Sequence, residues 1–111
     1  MIMELNQYKK EALRTDFADY SDFHTGDVSA RLDYATTGLV TESAKVLDLI
    51  KKSKKNIQPL DSNKITEELG DLLWYLNLTL DELDLSYDDI MKNNLLKITK
   101  KHPIDDPLIR G

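Results

Sequence analysis

The chain of 111 residues contains no cysteine. That excludes a disulfide framework and any thiolate-ligated metal site, and it fits a reducing, cytoplasmic setting. Apolar runs are short. None reaches the roughly 18 residues of a membrane-spanning helix, so no membrane partner is expected. The opening Met1-Ile2-Met3-Glu4-Leu5 is charged too early for a secretory signal. Asn77-Leu78-Thr79 matches a glycosylation acceptor, but it lies in an apolar helical pattern and reads as a chance match. Excess basic charge is also missing: 15 Lys and Arg stand against 20 Asp and Glu, a net charge of −5. A nucleic-acid polymer is therefore a poor partner, since such binding needs a basic footprint. A nucleotide is still compatible, because a metal ion can bridge carboxylates to phosphates. Repeats, low-complexity tracts and convincing strand patterns are absent.

What remains is helical periodicity. The length fits one domain. A first helix is expected over about Asn6 to Tyr20, with Leu5, Tyr8, Ala12, Leu13 and Phe17 on one face. A loop from Ser21 to Asp27 follows; His24 within it is given no role. The second helix starts after the N-cap candidate Ser29 and runs to about Lys54, with Leu32, Ala35, Leu39, Glu42, Val46, Leu49 and Ile50 in one stripe. Gly38 interrupts it at a cost of about 1 kcal/mol relative to Ala; close packing against a neighbouring helix would justify that. Lys51, Lys52, Lys54 and Lys55 suit the negative end of the helix dipole. After a connector with Pro59, a third helix begins near Ser62 or Asn63 and ends around Asp84, striped by Leu69, Leu72, Leu73, Leu76 and Leu80 and broken by Gly70. Ser86 caps a fourth helix bearing Ile90, Met91, Leu95 and Ile98, which ends by His102 because Pro103 follows. The expected fold is all-α, an antiparallel four-helix bundle over residues 1–103 with an extended tail at 104–111.

Two acidic clusters interrupt apolar stretches. Glu42 shares the stripe of Leu39, Val46 and Leu49, and Glu68 and Asp71 sit three apart on one face of the next helix. Carboxylates in apolar surroundings need partners or a metal. Three that converge suit a hard cation such as Mg²⁺ or Mn²⁺. The same spacing also fits a solvated helix face, with Glu67 and Glu68 answering the helix dipole, so spacing alone names no substrate.

At these residues the chain resembles the MazG-like all-α nucleoside triphosphate pyrophosphohydrolases. Their pattern is Glu-x-x-Glu on one helix and Glu-x-x-Asp on the next. Here the first half reads Gly38-Leu39-Val40-Thr41-Glu42-Ser43-Ala44-Lys45, and the second reads Glu67-Glu68-Leu69-Gly70-Asp71 followed by Leu72-Leu73-Trp74-Tyr75-Leu76. Asn94-Leu95-Leu96-Lys97 and His102-Pro103 resemble the family's Asn-x-x-Lys helix that stops before a proline. The likeness runs from about Tyr8 to Pro103. It implies that Glu42, Glu68 and Asp71 are catalytic metal ligands for Mg²⁺ or Mn²⁺. It implies that Asn94 and Lys97 lie near the nucleotide; both also fit an ordinary polar helix face. It implies hydrolysis of a nucleoside triphosphate to a monophosphate and pyrophosphate, and a homo-oligomer, dimer or tetramer, with sites built partly at subunit contacts. Trp74 and Tyr75 fit core or interface packing, or stacking on a base.

Lys45 departs from the pattern, since the family's second glutamate falls there. An ammonium donates hydrogen bonds and repels metal. Three readings stand. Lys45 turns aside to Asp48 or Glu42 and the three carboxylates still bind metal. Alternatively, Lys45 holds substrate phosphate itself, giving a nucleotide-binding, sequestering protein without turnover. In the third, the site is inactive and the bundle is an interaction module.

Overall fold

The computed structural model describes residues 2–16 and 29–101. They form four helices: α1 (Leu5–Leu13), α2 (Ala30–Asn56), α3 (Ser62–Glu82) and α4 (Tyr87–Lys101). No strand occurs among the described residues, so the all-α expectation holds. No described helix is long and apolar enough to cross a membrane. The loop at 21–27, His24, Phe17, Pro103 and the tail at 104–111 lie outside the described residues.

The helix starts are set locally. Ser29 accepts the Leu32 N–H at 3.0 Å, Asp61 accepts that of Lys64 at 3.1 Å, and Ser86 accepts that of Asp89 at 3.1 Å. Each satisfies a backbone donor that the first helical turn leaves orphaned. α2 closes on Ile57, whose φ of 50° is left-handed, with Gln58 N–H reaching back to the Ser53 carbonyl at 3.0 Å. α1 is shorter than its apolar pattern predicts, ending at Leu13 rather than near Tyr20. From Arg14 to Asp16 the backbone N–H groups turn to carbonyls three residues back, and the Thr15 hydroxyl donates to the Ala12 carbonyl at 2.7 Å. The side-chain bond competes with helix continuation at that point.

Three contacts give the register of α2 and α3. Arg31 meets Asp81 and Glu82, Gly38 meets Tyr75, and Glu42 meets Glu68 and Asp71. Advancing along α2 means retreating along α3, so the pair is antiparallel, as the connector at 57–61 requires. The Arg31 guanidinium also reaches Asp16 at 3.0 Å, joining the chain after α1 to this hairpin. Among the described residues, Ala12, Ala35, Leu78, Leu80 and Tyr87 are the buried hydrophobic side chains. Asn77 is fully buried and accepts a hydrogen bond from the Tyr87 hydroxyl, which ties the start of α4 to α3. Its burial removes Asn77 from any glycosylating surface. Beyond Tyr87 the apolar side chains of α4 find little cover within one chain: Leu95 is 61% and Leu96 68% exposed.

Candidate metal centre

Gly38 and Tyr75 set the spacing of the site. A Cβ at position 38 would overlap the Tyr75 ring, so the bare glycine backbone lets the two helices approach there. This is the close packing that a glycine inside a helix calls for. Gly70 has no such neighbour; a Cβ there would meet nothing within 4 Å.

One turn beyond Gly38 lies Glu42, and one turn before Tyr75 lies Asp71, with Glu68 a further turn back. Glu42, Glu68 and Asp71 each present a carboxylate oxygen within 4.8 Å of the others. The first two are buried, at 5% and 7% exposure, while Asp71 faces outward. Glu42 Oε2 and Glu68 Oε2 are buried with no hydrogen-bond donor. These two inner oxygens have no partner among the described residues, and the oxygen-only donor set fits a hard divalent ion. The adjoining Glu42 carboxyl, more than Lys64 or Lys45, holds Glu68 below the usual carboxylate range against the opposing effect of burial.

The other oxygens of the two glutamates are held by lysines of their own helices. Lys45 Nζ lies 3.0 Å from Glu42 Oε1, and Lys64 Nζ lies 3.4 Å from Glu68 Oε1 and 3.6 Å from Glu67. The pairing with Glu42 is the main reason Lys45 is raised above its ordinary value, and that with Glu68 does the same for Lys64. The Lys45 side chain thus turns to Glu42, while Asp48 pairs with Lys52 at 2.9 Å.

A cavity of about 360 Å³ opens beside the carboxylates, lined by Glu42, Asp71, Trp74 and Tyr75. Trp74 donates its indole N–H to the Thr15 hydroxyl at 2.9 Å and meets the Tyr75 ring edge-on, centroids 5.2 Å apart. Tyr34 packs on the other side of Tyr75 at 5.6 Å. A hydrogen bond with Tyr75 is the first cause that pushes the Tyr34 hydroxyl up to about 12, with burial second.

The expected residues thus separate into two groups. Glu42, Lys45, Glu68 and Asp71 come together. Asn94 and Lys97 are exposed on α4 and do not line the cavity. Lys64, Thr15 and Tyr34 are neighbours of the site that sequence reading passed over. Only Lys64 carries a local signal, its spacing of four residues before Glu68.

Residues 33–104 match the family described as the MazG nucleotide pyrophosphohydrolase domain. The chain is also 28% identical over 101 residues to the Gene 37 protein of Mycobacterium phage L5, a match covering 87% of each chain. No solved structure matches it. The family match spans most of the chain, including the three acidic residues and all four residues that line the cavity, and the chain belongs to the MazG nucleotide pyrophosphohydrolase domain family.

Proposed function

We propose that this protein hydrolyses a nucleoside triphosphate to a nucleoside monophosphate and pyrophosphate, using Mg²⁺ or Mn²⁺ held by Glu42, Glu68 and Asp71. The observation that carries this reading is the pair of buried, donor-less oxygens on Glu42 and Glu68 beside the open carboxylate of Asp71. A bound divalent ion supplies neutralisation of phosphate charge and a lowered pKa for water. In the reaction, water adds to the α phosphorus as its bond to the α–β bridging oxygen breaks. Pyrophosphate leaves and one proton is released. Asp71, on the solvent side, joins the ion site to the cavity, while Glu42 and Glu68 anchor it from the core.

Trp74 and Tyr75 wall that cavity and offer flat apolar surface to a base. Asn94 and Lys97, which do not line the cavity within one chain, would reach the substrate from α4, and Lys45 would meet its phosphates from the outer side of the carboxylates. The exposed Leu95 and Leu96 beside Asn94 and Lys97 support a homo-oligomer, dimer or tetramer, in which α4 is covered. A cytoplasmic location accords with the nucleotide substrate and the absence of cysteine.

The 3.0 Å pair between Lys45 and Glu42 favours a second reading, in which the ammonium takes part of the cation's place and nucleotide is sequestered without turnover. Product analysis decides between them. Incubation with ribo- and deoxynucleoside triphosphates plus Mg²⁺ or Mn²⁺ is expected to yield monophosphate and pyrophosphate in equal amounts. Intact nucleotide together with a nucleotide-induced rise in melting temperature would establish the binder instead.

A further inference from the structure

We infer that Lys45 and Lys64 are fixed cations built into the acidic site, that they leave it room for a single divalent ion per chain, and that Lys45 stands where a second would bind. The inference rests on the metal-site reading above and adds to it the number of ions and the residue that limits it.

The two buried glutamates are arranged alike. Glu42 on α2 has one oxygen paired to Lys45 three residues on, and Glu68 on α3 has one oxygen paired to Lys64 four residues back. In both, the other oxygen is buried without a donor. The side chains of Glu42 and Glu68 are only 7% and 9% exposed, so water cannot readily serve those inner oxygens. The lysines are about half exposed, at 52% and 50%, and so cap the pair from outside.

Charge makes the same division. Four carboxylates (Glu42, Glu67, Glu68 and Asp71) against two ammoniums leave two net negative charges, which one divalent ion balances. A second ion near Glu42 would have to displace Lys45 from Oε1 and sit beside its ammonium, which is repulsive at any dielectric constant. The inner oxygens meet neither obstacle. Lys45 is therefore a positioning residue: it orients Glu42 and excludes a second cation, without itself touching the first.

The test counts ions on the whole chain with Mn²⁺ alone, by calorimetry and by loss of the free-ion electron paramagnetic resonance signal. Wild type is expected to bind one Mn²⁺ and Lys45→Glu two. Lys45→Gln removes the ammonium but supplies no charged ligand; it should still bind one, roughly tenfold more tightly. Circular dichroism confirms that each variant is folded, and Lys45→Gln carries the test if Lys45→Glu is not. Two ions on wild type, or unchanged affinity in Lys45→Gln, would overturn the role given to Lys45 while leaving the metal site in place. No Mn²⁺ on any of the three proteins would overturn the metal site itself.

Discussion

Tyr75 rests its ring against the bare backbone of Gly38, one turn from Glu42 on α2 and one turn from Asp71 on α3. A methyl group at position 38 has no space unless Tyr75 moves. Gly38→Ala is expected to destabilise the chain by about 1–3 kcal/mol and to weaken metal binding as the helices part. Gly70→Ala, made in open space, should gain up to about 1 kcal/mol from helix propensity. Urea denaturation of both variants checks the contrast. Destabilisation by Gly70→Ala would mean that another chain packs at that face.

Glu42→Gln separates stability from function. The amide N–H₂ can donate to the donor-less Glu68 Oε2, so the metal-free melting temperature should rise by a few degrees. The same change should lower pyrophosphate release by about a hundredfold or more and remove the stabilisation that Mn²⁺ gives the wild type. A variant less stable than wild type without metal would show that the two carboxylates do not strain each other.

Glu82 gives a pH signature away from the candidate metal site. Hydrogen bonds from Ser29 first and Arg31 second hold it below its ordinary 4.5, against burial. A carboxylate depressed on folding binds fewer protons in the native state than in the unfolded one at acid pH. Its contribution is therefore complete above about pH 4.5 and is lost as pH falls through the lower folded-state value. Glu82→Gln should be less stable than wild type at pH 7, and the difference should shrink towards pH 3. Arg31→Ala, which breaks contacts with Asp16, Asp81 and Glu82 together, should cost about 1–3 kcal/mol at neutral pH.

The exposed leucines of α4 predict association. Leu95→Glu combined with Leu96→Glu should leave helix content unchanged and convert the wild-type oligomer to monomer in sedimentation velocity. A wild type that sediments as a monomer at tens of micromolar would remove the oligomer from the proposed function.

Much of this structure was legible because it is local. Ser29 and Ser86 cap helices through bonds to residues three ahead, and Glu68 and Asp71 share a face by spacing alone. Gly38 advertised a close contact before its partner was known. What was not legible is tertiary. Thr15 meets Trp74 across 59 residues, and no local pattern encodes that bond. The α4 stripe announced a buried face, yet one chain supplies too little surface to bury Leu95 and Leu96. Lys45 showed that the site departs from its family and offered Asp48 or Glu42 as its partner, whereas the choice of Glu42 emerges only from the folded α2.

The chain has a single tryptophan, and that residue walls the cavity beside Glu42 and Asp71 while its indole N–H is held by Thr15. The molecule therefore carries an intrinsic optical probe at the junction of its N-terminal segment and its acidic cleft. Emission from Trp74 will register both the arrival of a ligand in the cleft and the detachment of α1. Thr15→Val will tell the two signals apart, because it frees the indole from α1 while leaving the carboxylates untouched.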